Sequence, residues 1–357
     1  MKKLIKPGVL KKGDKIAVVS LSSGLASRVP ERYIRAKKQF ETAFGVQLVE
    51  MKHTLDCMDE IYCNPQNRLS DLMDAFLDPE IKGVITTIGG DDAIRLLPLM
   101  NEEHFKIIQS NPKVFLGMSD STVNHFMCLK AGLSSFYSPS LLFGYGENQG
   151  IPDFIVKNTK RVLFESAIIG DLPQSDFYIV EQLDFVKQEN EARSKRYDCE
   201  WKFLGSVKTV QGRLIGGCLD VLNFINGTSL WPQLSDFEDS ILFIETSEDR
   251  PTPEQVVYFL RNLAVRGILQ KTNGILMGRP GGEFSPHDKE KENEFISLYS
   301  RYDDAVLKVL KEFNLDIPVV TRMDFGHTVP QLILPYGALV QINPSEKEVS
   351  ILENGVC

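Results

Sequence analysis

The first residue of this chain that suggests chemistry is a serine set between an apolar strand and a helix. In Lys113-Val-Phe-Leu-Gly117-Met-Ser119-Asp120-Ser121-Thr122, a β-branched and aromatic run enters a small-residue turn, and Val123–Lys130 continues as a helix. The pattern G-x-S-x-S resembles the G-x-S-x-G nucleophile elbow, where small neighbours let the serine oxygen stand clear of the backbone. A helix starting there points free N–H groups at the turn and favours developing negative charge. The amide of Asp120, directly after the serine, is one expected oxyanion donor. Ser119 or Ser121 could instead simply cap the helix, and one turn can serve both ends.

A nucleophilic serine needs a base, and the chain has five histidines. His53 falls in a polar loop, His104 and His125 on apparent helices, and His287 in the loop Gly281-Gly-Glu-Phe-Ser-Pro-His-Asp288. His327 follows the strand Val319–Phe325 in the turn Gly326-His-Thr-Val-Pro330, and strand ends are where ligands and catalytic groups collect in α/β proteins. His327 ranks first and His287 second. A carboxylate should fix the imidazole tautomer. Glu245 ends the apolar strand Ile241–Ile244, where an acid is costly unless partnered. Glu248, Asp249 and Asp324 compete with it. The turn Gly89-Gly90-Asp91-Asp92 follows another strand, and its exposed amides, Gly90 foremost, offer the second oxyanion donor.

Other chemistries are disfavoured. The six cysteines form no CxxC pair and no metal-ligand spacing, so free thiols in a reducing compartment are the better reading. G-x-G-x-x-G and Walker A patterns are missing, which speaks against a nicotinamide oxidoreductase. A net charge of −8, with basic residues scattered, argues against a nucleic-acid partner. Lys11, Lys12, Asp14 and Lys15 interrupt the basic start before any signal-like apolar run, and no stretch approaches the ~18 apolar residues of a membrane span. The expected location is the cytoplasm.

The elements that must position these groups are legible in outline. At 357 residues the chain is expected to form about two domains. The first ~165 residues alternate strands (16–21, 46–49, 83–88, 114–116) with helices (31–44, 66–77, 93–100). That alternation implies an α/β domain with a doubly wound parallel sheet. Residues 181–201 are dense in charge and read either as a solvated linker or as a functional loop. The expected division is therefore 1–170, a connecting stretch 171–205, and 206–357. The last part carries strands at 210–215, 240–245, 274–277 and 318–321, a long helix over 290–313, and a terminal antiparallel group from 332–335, 338–342 and 349–352.

Taken together, Thr87-Ile-Gly-Gly90, Gly117-Met-Ser-Asp-Ser-Thr122, Gly212-Arg-Leu-Ile-Gly-Gly217, Leu242-Phe-Ile-Glu245 and Gly326-His-Thr-Val-Pro330 resemble the LD-carboxypeptidase family of serine peptidases, which includes the microcin C immunity peptidases. The matches span nearly the whole chain in family order, and Pro7–Ser20 fits the family's opening strand. The resemblance implies a Rossmann-like N-terminal domain, a C-terminal domain with a small barrel-like sheet, and a homodimer. It implies Ser119 as nucleophile, His327 as base, Glu245 as orienter, backbone amides near Gly90 and Asp120 as the oxyanion hole, and no metal or organic cofactor. The implied substrate is a small peptide, foremost a murein peptide. A peptidyl-nucleotide is the alternative, and a non-catalytic binding protein on the same fold is an alternative of another class. One departure is visible. Microcin-immunity members carry tryptophans that stack on a nucleotide-like moiety, whereas Tyr178–Phe185 here offers Phe185 and no indole before Trp201. Arg213, Arg250 and Arg279 are candidate carboxylate partners.

Overall fold

The computed structural model describes residues 3–281 and 289–357. Its strands are β1 (Lys15–Val19), β2 (Gln47–Glu50), β3 (Ile81–Thr86), β4 (Val114–Gly117), β5 (Phe136–Tyr137), β6 (Gly170–Asp171) and β7 (Lys202–Gly205). They continue with β8 (Val210–Cys218), β9 (Ser240–Glu245), β10 (Thr272–Gly278), β11 (Pro318–Met323), β12 (Leu334–Pro335), β13 (Leu339–Asn343) and β14 (Glu348–Ile351).

Two sheets result. The first runs β12-β5-β4-β3-β1-β2, with β1 to β5 mutually parallel and β12 antiparallel on β5. The order 2-1-3-4-5 is that of a doubly wound sheet, whose ligands lie beyond the carboxyl ends of the strands. Its strands are nearly all buried, as continuous apolar runs require. The second sheet runs β6-β14-β13-β8-β9-β10-β11-β7. There a parallel centre, β8 to β11, is flanked by antiparallel strands.

Helix boundaries follow local chemistry. Pro30, Pro65 and Pro253 open helices Pro30–Phe44, Pro65–Leu77 and Pro253–Val265, where a missing N–H costs nothing. Gly45 and Gly132 close helices in the left-handed conformation. Ala93–Leu99 is a 3₁₀ segment rather than the α-helix its pattern suggests, and Pro98 within it removes a helical donor.

The terminal segment departs from expectation in one place. β13 and β14 pair antiparallel in the second sheet, but Leu334 and Pro335 leave that group and bond to Tyr137 and Phe136 at the edge of the first. One apolar core runs through both sheets. The charged stretch around 181–196 lies against the first sheet's loops. Arg193 meets Glu147 at 3.0 Å with both side chains 7% exposed, and the Arg32 guanidinium covers the Phe185 ring at 3.8 Å. Asn148 Nδ2 donates to the carbonyls of Gln188 and Glu191. The Arg193–Glu147 pair is enclosed there, while Asp184, Lys187, Glu191 and Lys195 of the same stretch are exposed.

Candidate active site

The carboxyl ends of the parallel strands of the two sheets meet, and the candidate residues collect there. Ser119 follows β4 through the extended Met118 and takes φ of 57°, a conformation that side-chain-bearing residues seldom adopt and that concentrates at functional turns. A 3₁₀ turn, Ser119–Ser121, then enters helix Thr122–Ala131. Close packing dictates the small neighbours. A Cβ on Gly117 would fall 2.7 Å from Ser121 Cβ and 2.8 Å from Thr86 Oγ1, and one on Gly89 would fall 3.1 Å from Ser119 Oγ. The turn after β3 therefore lies directly against the serine, and Gly90 continues it at φ of 140°.

A buried polar network holds that turn to the elbow. The Asp120 carboxylate accepts from Ser22 Oγ at 2.6 Å and from the Ala93 amide at 2.7 Å, and burial raises its pKa. Ser22 Oγ in turn accepts the Asp92 amide at 3.1 Å, and the buried Arg68 bonds the Asp92 carboxylate at 2.6 Å.

Glu245 ends β9 with no solvent exposure, between β8 and β10. His327 follows β11, its side chain 11% exposed, and its Nδ1 lies 2.6 Å from Glu245 Oε2. The approach is tight: a Cβ on Gly326 would sit 2.6 Å from Glu245 Oε2, and one on Gly281 would sit 2.3 Å from His327 Cβ. His327 Nε2 lies 3.0 Å from Glu248 Oε2. Burial alone would lower the imidazole pKa, but Glu245 and Glu248 together outweigh it and hold it well above the ordinary range. The hydrogen bond to His327 is the main cause pulling Glu248 down to about 2. Among the described residues, Ser119 Oγ has no hydrogen bond to His327, and His327 Nε2 faces Glu248 instead.

Tyr137, at the end of β5, joins the two halves of the site. Its hydroxyl accepts the Ser119 amide at 2.9 Å and donates to Glu245 Oε1. Sequence reasoning missed this residue, since nothing in Leu133-Ser-Ser-Phe-Tyr137 marks it apart from core aromatics. Glu248 appeared only as a rival for Glu245; the structure places it on the opposite imidazole nitrogen.

The remaining candidates are engaged elsewhere. Asp324 accepts from Trp201 Nε1 at 2.8 Å and the Ser175 amide at 3.1 Å, and burial raises it to about 6. His53 pairs with Asp56, His104 caps its own helix through the Asn101 amide, and His125 lies buried between Ser135 Oγ and the Gly117 carbonyl, pushed down to about 4. His287 lies outside the described residues. Arg213 holds the Gly337 carbonyl and Glu353, and Arg279 the Cys199 carbonyl, so both are tied into the fold. Among the described residues no cluster of three or more His, Cys, Asp or Glu is placed to hold a metal, and no helix is long and apolar enough to cross a membrane.

Similarity to known proteins matches this architecture. An MccF-like protein from Streptococcus pneumoniae in complex with AMP superposes with a TM-score of 0.83 at 30% identity, covering 95% of this chain and 98% of that one. Microcin C7 self-immunity protein MccF in complex with aspartyl sulfamoyl adenosine superposes with a TM-score of 0.81 at 27% identity, covering 99% of this chain and 100% of that one. The Escherichia coli microcin C7 self-immunity protein MccF is 28% identical over 347 residues, 96% of this chain and 94% of its own length. A Bacillus subtilis protein named "Probable murein peptide carboxypeptidase" is 25% identical over 352 residues, 98% of this chain and 95% of its own. The class is thus that of two-sheet, mixed α/β peptidases of the MccF-like type. Residues 16–138 match the LD-carboxypeptidase N-terminal domain and residues 211–342 the LD-carboxypeptidase C-terminal domain. The chain belongs to the LD-carboxypeptidase family.

Proposed function

We propose that this chain is a serine-type amide hydrolase in which Ser119 attacks, His327 carries the proton and Glu245 holds the imidazole. The observation that supports this most is the buried relay Ser119 amide–Tyr137 hydroxyl–Glu245 carboxylate–His327 Nδ1, which ties the elbow of one sheet to the histidine of the other. A carboxylate on Nδ1 sets the tautomer with Nε2 as base and stabilises the imidazolium that forms. In the reaction, the substrate carbonyl lies between Ser119 and the amides of Gly90 and Asp120. Ser119 Oγ loses its proton to His327 Nε2 as it bonds the carbonyl carbon. The protonated imidazole then gives that proton to the leaving nitrogen, and water releases the acid from the acyl-enzyme.

The substrate proposed first is a murein peptide, from which a terminal amino acid is cut. The second is an aminoacyl- or peptidyl-nucleotide. It is favoured by whole-chain similarity to structures bound to AMP and to aspartyl sulfamoyl adenosine. The expected setting is the cytoplasm, consistent with six unpaired cysteines, and the expected assembly is a homodimer of chains divided near 171–205. Incubation with a murein tetrapeptide and with an aminoacyl-nucleotide, followed by mass spectrometry for free D-alanine or free nucleotide, separates the two substrates. Turnover undiminished in Ser119→Ala would reject the mechanism.

A further inference from the structure

We propose that Glu248 is a latch on the catalytic base: its carboxylate occupies His327 Nε2 in the resting site and must swing away before that nitrogen can serve Ser119. This inference rests on the reading of His327 as the base.

The geometry is direct. Nε2 is the imidazole nitrogen left to the reaction once Glu245 holds Nδ1 at 2.6 Å, and Glu248 Oε2 sits 3.0 Å from it. An imidazole bonded to a carboxylate at each nitrogen is an imidazolium, which has no lone pair for a serine proton. A reacting hydroxyl needs the same ~2.6–3.2 Å position that Glu248 fills. The two states therefore exclude each other. Opening as a base requires Nε2–H to lose its proton to bulk water while the Glu248 carboxylate turns outward.

The segment is built for that movement. Glu245 is fully enclosed, but Glu248 is 45% exposed, so its carboxylate can turn into water without a desolvation penalty. The backbone beneath it is held: the Ser247 amide bonds Asp220 Oδ2 at 3.1 Å, and Arg250 N returns to the Ser247 carbonyl at 3.2 Å in a tight turn. A side-chain rotation therefore suffices. Among the described residues, the ionisable groups meeting His327 are Glu245 from β9 and Glu248 from the loop after it, with Tyr137 from β5 reached through Glu245. Gly281, which packs on the His327 Cβ, brings no charge. An anionic group arriving on a substrate would repel Glu248 and help open the latch, coupling occupancy of the site to release of the base.

The test uses the full chain and Glu248→Gln, with Glu248→Ala as a second variant. Nitrogen-15 NMR of labelled histidine follows the His327 titration without any substrate. The latch predicts that both variants lower the His327 midpoint by about one unit or more. It also predicts an acid limb of kcat/KM shifted down equally, read as about a tenfold gain at pH values below the wild-type limb. A midpoint that stays in place in both variants overturns the latch, whatever the activity. A midpoint that falls while the acid limb stays fixed overturns it too. If the NMR shift appears but Ser119→Ala retains full turnover, the contact stands and the assignment of the nucleophile fails instead.

Discussion

Tyr137 and Glu245, from the last parallel strand of one sheet and a central strand of the other, share a buried hydrogen bond, and the same phenol hydroxyl receives the amide of Ser119. One side chain thus bridges the serine's turn and the carboxylate that meets the imidazole. Burial and the Glu245 charge raise the Tyr137 pKa well above its ordinary value, so it stays a neutral donor.

Tyr137→Phe removes both bonds without changing the ring's packing. Loss of a hydrogen bond to a charged group costs roughly 1.5–3 kcal/mol, which as lost positioning is a ten- to hundredfold fall in kcat. Steady-state kinetics check this, with KM expected to change little. An unchanged kcat would remove Tyr137 from the site's architecture.

Ser119 bears a side chain at φ of 57°. Relief of that conformation is worth about 1–2 kcal/mol, partly offset by the roughly 0.5–1 kcal/mol that glycine's freedom costs on folding. Ser119→Gly is therefore expected to be more stable than Ser119→Ala, with both inactive. Urea unfolding of the two variants decides it.

Gly326 passes over Glu245 at φ of 94° with no room for a Cβ. Gly326→Ala is expected to push the carboxylate off His327, lowering turnover by about a hundredfold or more and costing on the order of 2 kcal/mol of stability. Wild-type turnover in this variant would mean the pairing is dispensable.

The imidazolium between two carboxylates also links stability to pH. His327 has a folded pKa raised above the ordinary 6.5, so its stabilisation is complete below that value and is lost as pH rises through the folded pKa. Glu248 is lowered from 4.5 to about 2, so its share is complete above 4.5 and is lost as pH falls through about 2. The stability gap between the native chain and His327→Gln should be widest between pH 4.5 and 6.5 and should narrow on the alkaline side. Urea titrations at pH 5.5 and 10 measure it, and a gap that widens on the alkaline side contradicts the pairing.

The parallel strands of both sheets could be read from continuous apolar runs, and the strand–turn–helix around Ser119 from its small residues. Glu245 and His327 stood out because each follows an apolar strand, a local signal. Tyr137 and Glu248 gave no comparable signal, for different reasons. Tyr137 matters through a partner 108 positions away, and its own neighbourhood is an ordinary buried strand. Glu248 is a charged residue in a charged turn, distinguished only by the histidine that folding brings beside it. Within the stretch at 181–196, Arg193 pairs with Glu147 across 46 positions, a contact that charge density alone does not reveal. The path of Leu334 and Pro335 was hidden because four apolar residues carry no record of which sheet they join.

That last excursion makes one edge of the first sheet depend on the far end of the chain. The outer strand of the first sheet, which holds Tyr137, keeps an unsatisfied edge until residues almost two hundred positions later arrive to cover it. Until then the elbow and its tyrosine lie beside an open template for intermolecular pairing. A chain emerging from the ribosome in sequence order thus leaves that edge open until residues 334–335 have been made.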